Sequence, residues 1–284
     1  MTGTDTYNYT DLQHVIPEIW SKKVNELFKA KLIVAPLVLD LSSDVANGGK
    51  TVHIPDLYSN IFTASDKENA SEVTLQSPAT DNDDLTVDTW KEVSFLIEDK
   101  EALQVLRSYG MQKRYMDMAA YTIAKAYDTA TLALYSGLTN SVGASNTDIA
   151  DSDIRQAIQY LDENDIPAED RAFIFHPTVL WGQVMGIDKY TEAYKAGGEG
   201  SIRNGELGRL YGIPVLQTTQ IPYETNDYHN MLVQKEAFAT AKLQDIRTQA
   251  NYIPENLGTL ITCDIIYGTL LNRALAGVEI TSGS

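Results

Sequence analysis

Two segments of this chain read as β-strands, Thr51–Pro55 and Leu85–Ile97, and about thirty residues rich in Ser, Asp, Asn and Ala lie between them. In the second segment Leu85, Val87, Val93, Phe95 and Ile97 share the odd-numbered face, the period of a half-buried strand. A connection as long as 56–84 with no apolar rhythm is improbable inside a compact domain unless it acts outside that domain. It therefore reads as a long projecting hairpin without a core of its own. An extended hairpin is marginal in water, so a partner surface is expected for it.

Ahead of the hairpin, a polar tip is followed by an amphipathic segment in which Trp20, Val24, Leu27 and Phe28 recur at spacings of three and four, with Pro17 near its start and Pro36 after its end. Such an arm either packs on its own domain or docks on a neighbour. After the hairpin comes the longest helical signal. Met111, Tyr115, Met118, Thr122 and Ala126 step by threes and fours, with Ala119, Ile123, Ala130 and Leu134 beside them, until Gly137 stops the run. The spacing predicts a helix over 112–136, a rod of about 37 Å.

The Ser/Asn/Gly-rich stretch 139–147 reads as a linker. Beyond it Asp151 or Ser152 is expected to cap a helix carrying Ile154, Ala157, Ile158 and Leu161. A short buried strand, Ala172–Phe175, then leads into a helix opened by His176 and Pro177. A glycine-rich loop, 186–207, and a strand around Val215 and Leu216 complete a small α/β unit. Toward the end, Met231–Gln234 reads as a strand, Lys235–Ala241 as a turn or short helix, and Leu257–Leu271 as a long extended run in which Ile261, Cys263, Ile265 and Tyr267 share one face. Ala276–Ile280 is the last strand.

Chemistry is sparse. The formal charge is −17, with 22 Lys and Arg against 39 Asp and Glu, which argues against a nucleic-acid reader because phosphate affinity is carried by clustered cations. The one cysteine, Cys263, leaves no intrachain disulfide or thiolate zinc site, and its mid-strand place suits a small buried side chain. His14, His53, His176 and His229 show no ligand-pair spacing and read as surface or cap residues, so no metal is expected. Asp81, Asp83, Asp84 and Asp88 lack the glycine and glutamate of a calcium loop and read as a solvated turn. Gly197, Gly198 and Gly200 flank Glu199, which would repel phosphate, so no nucleotide cofactor is expected either. No Gly-x-Ser-x-Gly elbow occurs. The start is polar and the longest apolar run is far short of a membrane span, so a soluble protein of a reducing compartment is expected. Tyrosine is the unusual entry, 16 against 6 Phe, and a ring that can be half wet suits subunit contacts.

Taken in order, these pieces resemble the major capsid proteins of tailed bacteriophages with the HK97 fold, an α+β fold. The phrases carrying the likeness are Arg171–Pro177 (RAFIFHP), Gly208–Gln217 (GRLYGIPVLQ) followed by Ile221 and Pro222, and Asp264–Val278 (DIIYGTLLNRALAGV), with order and spacing matching over nearly the whole chain. The resemblance implies an N-terminal arm (1–43), an extended E-loop hairpin (44–98), a peripheral domain with a spine helix (99–145), an axial α/β domain (146–222) and return strands completing both domains (223–284). It further implies a structural protein and no enzyme. Copies would form the pentamers and hexamers of an icosahedral shell that encloses a double-stranded DNA genome without sequence-specific binding. The place implied is the virion, after synthesis in the host cytoplasm. The partners implied are a separate scaffolding protein, a portal and a decoration protein, with no cofactor and no membrane.

In that family each E-loop lies across a neighbouring subunit and the arm embraces another. Ile61, Phe62, Val73 and Leu75 are the corresponding loop anchors, and Trp20 and Phe28 those of the arm. Some members weld subunits through a lysine–asparagine bond. Lys67 is the only lysine in the loop between its two strands and Asn272 lies near the peripheral strands, but the residues themselves favour a solvated tip lysine. An encapsulin nanocompartment shell on the same fold, and a soluble α/β hydrolase with an insertion at 56–84, are the alternatives.

Overall fold

The computed structural model describes residues 34, 37–46, 48–56, 64, 66–69, 72, 73, 75, 76, 81–101, 111–187 and 208–283. In chain order the elements are β1 (Leu39–Asp40), α1 (Ser42–Val45), β2 (Thr51–Asp56), β3 (Asp81–Thr86), β4 (Thr89–Glu98), the long helix α2 (Met111–Leu132), β5 (Asn140–Gly143) and α3 (Asp151–Glu163). There follow β6 (Arg171–Phe175), α4 (Pro177–Gly182), β7 (Arg209–Leu210), β8 (Ile213–Gln217), β9 (Tyr223–Glu224), β10 (Asp227–Gln234), β11 (Phe238–Ile253), β12 (Gly258–Leu271) and β13 (Gly277–Gly283). Three sheets result: a four-stranded one in the order β1-β11-β12-β4, a seven-stranded one ordered β5-β13-β10-β6-β8-β7 with β9 beside β10, and the ribbon β2-β3.

The seven-stranded sheet carries the largest core. All five residues of β6 are buried, as expected for a strand covered on both faces. Ile154, Ala157 and Leu161 of α3 pack on the same cluster as Phe173, Phe175, Leu232, Val278 and Ile280. The cap of α3 departs from expectation. Ala150 is the N-cap, and the Asp153 carboxylate reaches back to accept its N–H at 2.9 Å. Arg171 explains the first residue of the RAFIFHP phrase. It is buried, and its guanidinium meets Asp162 at 2.7 Å and the Pro167 carbonyl at 2.9 Å, tying β6 to the end of α3. The stretch read as a linker is structural, since β5 pairs in parallel with β13, and a Cβ on Gly143 (φ 85°) would meet the Thr281 carbonyl oxygen at 2.2 Å.

Helix α2 spans 22 residues, about 33 Å. Its buried stripe is Ala119, Ile123 and Tyr127, spaced by four, rather than the Met118–Thr122 stripe the spacing predicts; Tyr115 and Met118 are exposed. The small Ala119 lets the helix settle on the β12 face formed by Cys263, Ile265 and Tyr267, and the Tyr127 and Tyr267 rings meet edge to face at 5.0 Å. The expected extended run is β12, with its buried face as predicted.

Three further differences concern strands. The segment read as one strand, Leu85–Ile97, changes partner in mid-course: β3 pairs with β2, whereas β4 pairs with β12. The aspartates read as a turn include Asp81, Asp83 and Asp84 of β3, and Asp84 lies 2.6 Å from the His53 ring nitrogen. Residues 238–241, read within a turn or short helix, begin the sixteen-residue β11, whose buried start packs Ala239 and Ala241 against Leu85 and Val87. At this junction Gly268 lies so close to the Thr86–Val87 backbone that a Cβ would stand 2.3 Å from the Thr86 carbonyl oxygen. Gly268→Ala is expected to lower stability by about 1–3 kcal/mol, the scale of a core overpacking that backbone must absorb. A thermal unfolding scan with an unchanged Tm would contradict this packing.

Candidate functional site: surfaces for subunit contact

The ribbon root is held by six register pairs, from Thr51↔Thr86 to Asp56↔Asp81, and beyond it every described residue up to position 76 is exposed. Val73 is 63% and Leu75 89% exposed, so the apolar pair expected to anchor the loop lies open to water within the single chain. The other expected anchors, Ile61 and Phe62 on the loop and Trp20 and Phe28 on the arm, lie outside the described residues, as do positions 188–207 of the glycine-rich loop.

The structure gives Lys67 and Asn272 separate partners. The Lys67 ammonium donates to the Glu68 carbonyl at 3.3 Å. The Asn272 amide donates to the Glu236 carbonyl at 2.9 Å, and the neighbouring Arg273 holds the Glu236 carboxylate at 2.9 Å, closing the turn between β10 and β11.

A second set of surface residues escapes the sequence reading. Trp90 is 66% exposed, yet its indole N–H donates to Asp264 at 3.1 Å. Trp181 stands exposed on α4 with its N–H toward the Gln217 side-chain oxygen at 3.3 Å. Tyr252 donates to Asp99 at 2.9 Å and Tyr211 to Asp151. Each ring is fixed by its polar end while part of its apolar body faces solvent, the form in which aromatic residues serve as contact anchors at small entropic cost. The excess of tyrosine is the one sequence signal pointing to them. No spacing rule links Trp90 to Asp264, 174 positions later.

Asp264 is the electrostatic centre of this region. It lies beside the β-bulges of β11, where the register with β12 shifts between Lys242 and Gln244 and again before Arg247. Arg247 binds both its oxygens, at 3.1 and 2.9 Å, and Gln244 and Trp90 add N–H donors at 2.9 and 3.1 Å. The carboxylate thus ties β4, β11 and β12 together. The Arg247 hydrogen bonds, ahead of smaller contributions from Gln244 and Trp90, hold its carboxyl below the usual aspartate range against the opposing effect of burial. A depressed carboxyl stabilises the fold above the pKa of the unfolded chain, about 4, and this contribution is lost as pH falls through the lower folded value. Asp264→Asn is expected to be less stable than wild type at pH 7 and to converge on it near pH 2. Parallel unfolding curves at both pH values would refute the clasp.

Among the described residues, no group of three or more His, Cys, Asp or Glu is placed to hold a metal ion, and no helix is long and apolar enough to cross a membrane. His229 stacks on Tyr135 with ring centroids 4.4 Å apart and meets Glu279 at 2.6 Å.

No family model matches the sequence, and no curated protein matches it. Solved structures do. A structure of Mycobacterium phage Che8 aligns with 21% identity over 93% of this chain and 96% of that one, with a TM-score of 0.80. The capsid of cyanophage P-SCSP1u aligns with 16% identity over 100% and 97%, and the head of Helicobacter pylori bacteriophage KHP40 with 12% over 99% of each, both at a TM-score of 0.76. The α+β chain described here therefore has the HK97-like fold of phage capsid structures, along almost its whole length.

Proposed function

We propose that this chain is a structural shell subunit, a major capsid protein whose copies form pentamers and hexamers of an icosahedral phage capsid around double-stranded DNA. The observation that carries the reading is the fold match, which covers 99–100% of this chain. The exposed Val73 and Leu75 support it, because apolar side chains open to water gain burial only against another surface. In this reading Val73 and Leu75, with Ile61 and Phe62, seat the loop on a neighbouring subunit, and Trp20 and Phe28 seat the arm. A Lys67–Asn272 weld is not needed. The role calls for no catalytic residue. The partners to look for are a scaffolding protein, a portal and a decoration protein, and the place is the virion shell after synthesis in the host cytoplasm.

Negative-stain microscopy and sedimentation of the expressed chain test the reading. Closed shells or ring-shaped capsomers are the expected outcome, and a small compact oligomer at all concentrations would overturn it. Leu75→Asp is expected to suppress assembly while leaving the subunit's Tm within about 2 °C, since a change on an exposed side chain costs little in the isolated fold. Because each copy carries a formal −17, light scattering should rise as salt screens the repulsion between copies. A steady fall with added salt would count against assembly governed by apolar contacts.

A further inference from the structure

His176 sits where β6 ends and α4 begins. Its ring nitrogen Nδ1 accepts the Thr178 backbone N–H at 3.3 Å, making the side chain the N-cap of the helix. Its own backbone N–H donates to the Asn230 side-chain oxygen at 2.8 Å, and its ring stacks on Tyr228 of β10, 4.2 Å away and inclined by 14°. Tyr228 in turn meets Tyr223 of β9 at 4.7 Å. The site is thus held from three strands and a helix.

A backbone N–H can be accepted only by a bare lone pair, so this geometry requires Nδ1 without a proton and the neutral ring protonated at Nε2. Protonation of Nδ1 turns the acceptor into a donor facing another donor. It also places positive charge at the helix end where the peptide dipoles already concentrate it. Among the described residues no counter-charge acts on the ring. Pro177–Gly182 contains no ionisable side chain, and the ring stacks on the uncharged phenol Tyr228. The charged groups of the neighbouring strands have other partners: Asp227 on β10 is engaged by the Ser145 hydroxyl and, at 2.8 Å, the Asn146 N–H, His229 meets Glu279, and Glu224 on β9 is hydrogen-bonded with Tyr135. Burial pushes the ring below the usual histidine range, in the sense the geometry demands.

We propose that His176 is an acid-sensitive cap: neutral, it holds the first turn of α4 in place, and protonated, it releases that turn and loosens the surface that carries Trp181. The inference rests on the single chain and is independent of the shell reading. The sign is fixed by the neutral form being the one the fold uses. The capped state is fully present above the unfolded histidine pKa, about 6.5, and is lost as pH falls through the lower folded value. A helix this short has few internal bonds with which to compensate for a lost cap.

Hydrogen exchange of the full-length chain, read on peptides covering 177–186 and normalised to intrinsic rates at each pH, tests the proposal. Protection is expected to fall on the order of fivefold between pH 7.5 and pH 5, the scale of a lost N-cap. His176→Asn keeps a cap that does not titrate in this range and should stay flat. Protection independent of pH in the wild type, or the same fall in the variant, would overturn the proposal. Nitrogen chemical shifts of wild-type His176 at pH 7.5 provide a reading that needs no variant: an unprotonated Nδ1 is expected, and a protonated Nδ1 would overturn the cap.

Discussion

The seating of α2 on β12 is the contact on which the four-stranded unit depends. Ala119, Ile123 and Tyr127 meet Cys263, Ile265 and Tyr267, side chains about 140 residues apart in sequence, and every one of the six is buried. Full burial of one large aliphatic or aromatic side chain is worth about 1.5–3 kcal/mol, so apolar packing along this stripe holds the helix to the sheet, with a hydrogen bond between Tyr127 and Thr240 of β11 added at one end. On the opposite side of the same sheet, Asp264 gathers Arg247, Gln244 and Trp90. One face of β12 is thus fixed by apolar packing and the other by a charged clasp.

Much of this architecture was legible because local pattern and final environment agree. The run Ala172–Phe175 reads as a buried strand and lies within one; the alternation of Ile261, Cys263, Ile265 and Tyr267 selects the buried face of β12; Gly137 marks the end of the helical region. What escaped lies where two structures obey the same pattern. Leu85 and Val87 share an odd-numbered face whether the strand stays with β2 or leaves for β12, so alternation cannot show the change of partner at Val87–Asp88. The far part of β11, Lys242–Ile253, is mixed in polarity, with only Ile246 packing on a core cluster, and lies at the sheet edge beyond β1, so its burial signal is weak. Likewise β5 consists of Asn, Ser, Val and Gly, and only its pairing with β13 makes it a strand.

For the surfaces the limit is different. Val73 and Leu75 could be picked out because apolar residues in a polar loop stand out in a sequence. Trp90 and Trp181 could not, because a tryptophan reads as core by default and only the folded chain shows the indole N–H tethered and the ring face open. Polar anchoring of exposed aromatics is a long-range property, set by which strands become neighbours.

The tip between β11 and β12 illustrates how local disadvantage points outward. Leu257 adopts the left-handed backbone region (φ 45°, ψ 51°) and is 65% exposed. A side chain in that region costs about 1–2 kcal/mol, which a glycine would avoid. A branched apolar residue here thus serves the isolated chain poorly twice over, in torsion and in hydration. In the proposed shell, a neighbouring copy that covered Leu257 would offset the hydration part of this cost, and the β11–β12 turn would then gauge how far the subunit's stability is deferred to its surroundings.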